Sequence, residues 1–193
     1  MDIYPLIAFQ NNTILDGIHG KEISLEEIIA QTKAEHPLYI YEENINDAHF
    51  GIYQRLSGQR DLWIDAQPRN HEDVVDLVTA GATSIIIRPK AWWDLHENVK
   101  ETVEVAIYAA EELTIDTSES HSFFSPVEGY IVFGLQQQER VDFKQHQWIK
   151  NKLRSTAVYI YDNQVEKLSN WQSLSITGII TDLSNIKEFT HGR

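Results

Sequence analysis

Short apolar runs alternate with amphipathic stretches along most of this chain, and that alternation restricts the available folds more than any other feature. Ile3 to Phe9 is an apolar run ending at Gln10-Asn11-Asn12, which predicts a buried strand followed by a turn. Ser24 and Glu27 form a capping box ahead of Leu25, Ile28, Ile29 and Thr32. These four share one helical face, so Leu25 to Ala34 reads as a helix covering a sheet. Pro37 opens a second strand, Leu38 to Tyr41, and Ile45, Ala48, Ile52 and Leu56 are spaced for a helix that Ser57-Gly58 ends. Leu62 to Asp65 is the third strand. Asn70 and Asp73 cap a helix bearing Val74, Leu77 and Val78, which closes at Gly81, and Ser84 to Ile87 is the fourth strand.

The second half is less regular. Val103 to Ala109 and Tyr130 to Phe133 read as strands, whereas Thr114 to Ser122 is polar, poorly periodic and expected to be a loop. Val141 to Leu153 reads as a short helix. Val158 to Tyr161 and Gly178 to Thr181 are the seventh and eighth strands, with Val165, Leu168, Trp171 and Leu174 supplying a helix between them. Strands separated by helical segments pair in parallel through right-handed crossovers, and eight of them favour closure. The expected fold is therefore α/β, a (βα)8 barrel in one domain spanning 1–193. Its rival is an open doubly wound sheet. With 193 residues the barrel lies near the lower size limit of its class, so its helices are expected to be trimmed.

Composition removes several kinds of chemistry. The chain has no cysteine, which excludes disulfides, thiolate zinc sites, iron-sulfur clusters and cysteine nucleophiles. The net charge of −13 opposes nucleic acid and anionic membrane, and the basic group Lys150, Lys152 and Arg154 reads as a solvated helix face. No run approaches the length of a spanning helix, and Met1 to Gln10 carries no secretory leader, so a cytoplasmic protein is expected and Asn11-Asn12-Thr13 is not expected to be glycosylated. The eight histidines show no compact ligand spacing, and no metal or cofactor is expected.

Matching Ile7 to Ile107, Leu38 to Tyr130, Leu62 to Val158 and Ser84 to Gly178 gives offsets of 100, 92, 96 and 94 residues, so four strands recur in order. That suggests two half-barrels, about 1–97 and 98–193, although units of similar length also echo one another by composition. Leu62 to Leu95, LWIDAQPRNHEDVVDLVTAGATSIIIRPKAWWDL, resembles the third and fourth units of the histidine-biosynthesis isomerase and cyclase barrels, and IYPLIAFQNNTILDG resembles their first strand and loop. The likeness is closest to divergent relatives associated with tetrahydromethanopterin and methanofuran pathways. It implies a barrel that binds a small anionic or phosphorylated metabolite and, if an enzyme, an isomerase or lyase. It also implies acids at the ends of strands one and five, yet the matching positions here are Ala8 and Tyr108, neither of which exchanges a proton at neutral pH. The family's glycine-rich phosphate loops are likewise replaced, by Gln67-Pro68-Arg69 and Arg88-Pro89-Lys90.

If an anion binds, side chains must hold it, and Arg69, Arg88 and Lys90 lie beyond adjacent strands, where barrel ligands bind. Surface pairing with Asp65, Glu72 or Asp94 is the plainer role for these cations. Asp65, Asp162 and Asp182 end strands three, seven and eight and are the candidate acid-base group, unless they serve only as caps and turns. Trp92 and Trp93 are candidates for a pocket wall. The competing expectation is a non-catalytic subunit whose tryptophans and trimmed helices face a protein partner or a second copy.

Overall fold

In a computed structural model of the protein, the described residues are 1–32, 36–88, 95, 99, 104–113, 127–135 and 143–191. In chain order they form β1 (Asp2–Gln10), β2 (Thr13–Asp16), α1 (Leu25–Gln31), β3 (Leu38–Glu42), α2 (Phe50–Ser57), β4 (Leu62–Asp65), α3 (His71–Thr79), β5 (Ser84–Ile87) and β6 (Ala106–Glu112). The chain continues through β7 (Gly129–Phe133), α4 (Phe143–Leu153), β8 (Ala157–Tyr161), α5 (Leu168–Ser173), β9 (Gly178–Asp182) and α6 (Ile186–His191).

The strands pair in parallel in the order β1-β3-β4-β5-β6-β7-β8-β9, and β9 returns to β1 with Asp2 opposite Gly178 and Leu6 opposite Asp182. That last pairing closes an eight-stranded barrel and excludes the open sheet. The described helices are short, from six residues in α5 and α6 to eleven in α4, as a barrel of this length requires. Among the described residues, no helix is long and apolar enough to cross a membrane. The stretch Thr114 to Ser122 lies outside the described residues.

Local signals explain most boundaries. Ser24 and Glu27 form their reciprocal cap, with the Ser24 N–H donating to Glu27 at 2.7 Å, and α1 ends at Thr32, earlier than its periodicity suggests. The Asn70 side chain accepts the Asp73 N–H at 2.9 Å and starts α3. The single helix expected from Ile45 to Leu56 is instead a 3-10 turn, Ile45–Asp47, capped by Asn44, followed by α2. Asn11 and Asn12 both adopt positive φ, 49° and 62°, the pattern of a two-residue hairpin turn, so the chain doubles back as β2 antiparallel to the end of β1.

Strand alternation sends one set of side chains into the barrel and the other beneath the helices. The interior is layered. At the amino-terminal end Tyr4, Trp63, Tyr108 and Tyr159, from β1, β4, β6 and β8, pack ring against ring, with Tyr4 and Trp63 stacked at 5.1 Å and Trp63 and Tyr108 at 4.5 Å. Above them lie Tyr39, Ile86, Ile131 and Ile180 from the four alternate strands, the interleaving characteristic of such barrels. Room for the aromatic floor comes from small residues on the neighbouring strands. A Cβ at Gly178 would meet Tyr4 Cε2 at 2.7 Å and Tyr159 Cδ1 at 3.0 Å. Gly178→Ala is therefore expected to destabilise the fold by about 1–3 kcal/mol in urea unfolding, the usual range for overpacking. A neutral result would show that the floor can shift.

Candidate functional site at the barrel mouth

At the carboxyl-terminal end the interior turns polar. Asp65, which ends β4, is fully buried and accepts two hydrogen bonds from Arg88, Nη2 to Oδ2 at 2.6 Å and Nε to Oδ1 at 3.2 Å. The Tyr39 hydroxyl donates to Asp65 Oδ2 at 2.9 Å from the layer below. Arg88 follows β5 and spreads its guanidinium over Tyr41 and Phe133, 5.4 and 5.2 Å from the ring centroids. Burial by itself would weaken the guanidinium's hold on its proton, but the Asp65 carboxylate more than reverses this, and Arg88 stays firmly charged.

Asp182, the last residue of β9, occupies the same rim. The Tyr161 hydroxyl donates to its Oδ1 at 2.8 Å, and Asn163 Nδ2 donates to its Oδ2 at 2.8 Å and to the Tyr161 oxygen at 2.9 Å. The Asn163 carbonyl is fixed in turn, accepting the Asp182 N–H at 3.0 Å and the Thr181 hydroxyl at 3.1 Å. Gly17, at φ 79° in the loop after β2, lies against this carboxyl, and any side chain there would collide with it. The adjacent Asp16 accepts the Ser184 N–H at 3.0 Å, which ties the hairpin to the end of β9. Burial and, less strongly, the neighbouring Asp16 charge raise the Asp182 pKa to about 6, against the opposing hydrogen bonds from Tyr161 and Asn163.

The candidate residues separate accordingly. Asp65 and Asp182 face the interior, but Asp162 has the opposite parity and lies under α5. There it accepts Trp171 Nε1 at 2.8 Å and the Gln164 N–H at 3.0 Å, an anchor for the helix. Its own burial raises its pKa, against those hydrogen bonds and Lys167. Arg69 is half-exposed and bonds Asp73 on α3, Nε to Oδ2 at 3.1 Å, a surface pair of little energetic weight. Lys90, Trp92 and Trp93 lie outside the described residues.

Several rim residues have no distinguishing signal in the sequence. β6 extends to Glu112, so the fifth barrel strand ends there and not near Tyr108, which belongs to the aromatic floor. The charged pair Glu111-Glu112 lies beyond the strand expected from Val103 to Ala109, yet it pairs in register with Val132 and Phe133. Ala8 is opposite Tyr41 near the end of the first barrel strand, with no acid of its own. Tyr41, Tyr161 and Asn163 carried no motif. Histidine plays a structural part at the outer face: His49 Nδ1 donates to Glu42 at 2.8 Å, Tyr53 donates to the same carboxylate, and β3 is thereby bound to the start of α2. Among the described residues no cluster could hold a metal ion.

Fold and rim together define a closed parallel α/β barrel whose carboxyl-terminal mouth carries an arginine paired with a buried aspartate and a carboxyl with a raised pKa. No family model and no curated protein matches this chain.

Proposed function

We propose that this barrel binds a small metabolite at its carboxyl-terminal mouth and that Asp182 exchanges a proton with it. The supporting observation is the setting of Asp182, an incompletely buried carboxyl clasped by Tyr161 and Asn163 against Gly17 with a pKa raised to about 6. A carboxyl so poised is protonated in part near neutrality and serves as acid or base. An anionic or phosphorylated ligand finds its support in Arg88, although Asp65 already shares that charge. Descent from the histidine-biosynthesis barrels, with a half-barrel repeat, is supported by the eight parallel strands and by the sequence offsets. On that lineage the reaction is an isomerisation or lyase step on a phosphorylated or C1-pathway compound, with Asp182 replacing the acid that Ala8 lacks.

In protein labelled with carbon-13 at its aspartate carboxyls, NMR titration is expected to give Asp182 a midpoint near 6. A midpoint at the ordinary value, about 3.9, removes the reading. A thermal-shift screen of phosphorylated sugars and C1-pathway intermediates is expected to yield a ligand whose stabilisation is lost in Asp182→Asn. The non-catalytic reading is favoured by one observation, the alanine at the end of the first strand. It predicts that no compound stabilises the protein and that a partner co-purifies with it.

A further inference from the structure

We infer that the opposite, amino-terminal end of the barrel carries a separate oxyanion site built on Arg60. Arg60 stands in the turn between α2 and β4 and is 6% exposed, yet its Nε and Nη1 are buried and meet no hydrogen-bond partner among the described residues. The contrast with the two paired arginines at the opposite end is direct. Arg88 rests on Asp65 and Arg69 on Asp73, and those carboxylates strengthen each guanidinium's hold on its proton. On Arg60 burial acts alone and weakens that hold.

A guanidinium does not lose its proton at any physiological pH, so burial leaves a full positive charge with no counter-charge among the described residues. Buried charges are normally paired. An oxyanion supplies both missing elements, a negative charge and acceptors for the N–H groups, and phosphate and carboxylate share that chemistry. The carbonyls at the end of α2 do not fill the role, since none reaches these nitrogens. The floor of Tyr4, Trp63, Tyr108 and Tyr159 lies across the barrel between this end and the mouth, so the site is independent of Asp182.

Thermal unfolding in about 20 mM sodium phosphate, against sodium chloride of equal ionic strength, is expected to raise the wild-type Tm by about 4 °C. The exposed-arginine control Arg55→Met should respond equally, whereas Arg60→Met should show no phosphate-specific rise. Sodium acetate in a parallel arm distinguishes a carboxylate site from a phosphate site. Because Arg60→Met alters a buried position, the wild-type protein supplies the second measurement, movement of the Arg60 Nε–H resonance as either anion is added. An equal anion response in Arg60→Met and wild type, or an Arg60 resonance that neither anion moves, overturns the inference.

Discussion

Asp65→Ala should destabilise the protein by about 3–5 kcal/mol, the range for removing one partner of a buried ion pair. Asp65 is fully buried and holds Arg88 by two hydrogen bonds, so its loss strands a guanidinium between Tyr41 and Phe133 and also deprives Tyr39 of its acceptor. The arginine keeps partial access to solvent, with 23% of its side chain exposed, which favours the lower part of that range. The measurement is urea unfolding of Asp65→Ala, Arg88→Met and the double variant. The double variant should regain most of the loss, because the uncompensated charge is what costs stability. A loss below about 1 kcal/mol in Asp65→Ala would mean that water or another residue takes over, and the pair would not organise the mouth.

The second large effect runs the other way. Glu111→Gln should stabilise the protein by about 2 kcal/mol at pH 8 and by little at pH 4. Glu111 faces outward from β6, is 6% exposed, and its Oε1 has no partner among the described residues; burial raises its pKa to about 7, with Lys152 opposing. The sign follows from linkage. The folded-state value lies above the unfolded one, so the neutral carboxyl is tolerated and the ionised one is not. Stability is intact below about pH 4.3, falls as the pH rises toward 7, and then levels off. Glutamine never ionises and escapes that loss. A variant no more stable than wild type at pH 8 would show that the carboxylate is well solvated.

Most of the barrel could be read from sequence because its strands are short, apolar and bounded by turn residues. Leu62 to Asp65 and Ser84 to Ile87 have the limits their apolar runs suggest. The failures have particular causes. β6 runs three residues beyond the Ala109 limit its apolar run suggests, because its pairing with β7 carries it through the charged Glu111 and Glu112. The turn expected at Asn11-Asn12 is a hairpin turn, and the short β2 that it introduces is too weakly apolar to stand out as a strand in sequence. At the mouth, Asp65 and Arg88 could be proposed from their places after strands, but their partnership depends on strand register. Asp162 and Asp182 look equivalent in sequence. The parity of one residue on strands of slightly different extent puts the first under a helix and the second at the rim.

The seam between β1 and β9 joins Leu6 to Asp182, residues from the two extremes of the described chain. Contacts so distant along the sequence form late, since the loop entropy of closing the chain must be met before they contribute. The strands from β1 to β8 can assemble progressively through neighbouring units, but β9 becomes ordered on both edges only when the ring shuts. Asp182 acquires part of its surroundings, the Gly17 loop lying against it and the Asp16 contact to Ser184 beside it, in that same event. With the seam open, Asp182 would keep Tyr161 and Asn163 from the β8 side but lose Gly17 and the Asp16 contact, so the full enclosure of the acid at the mouth depends on closure of the ring.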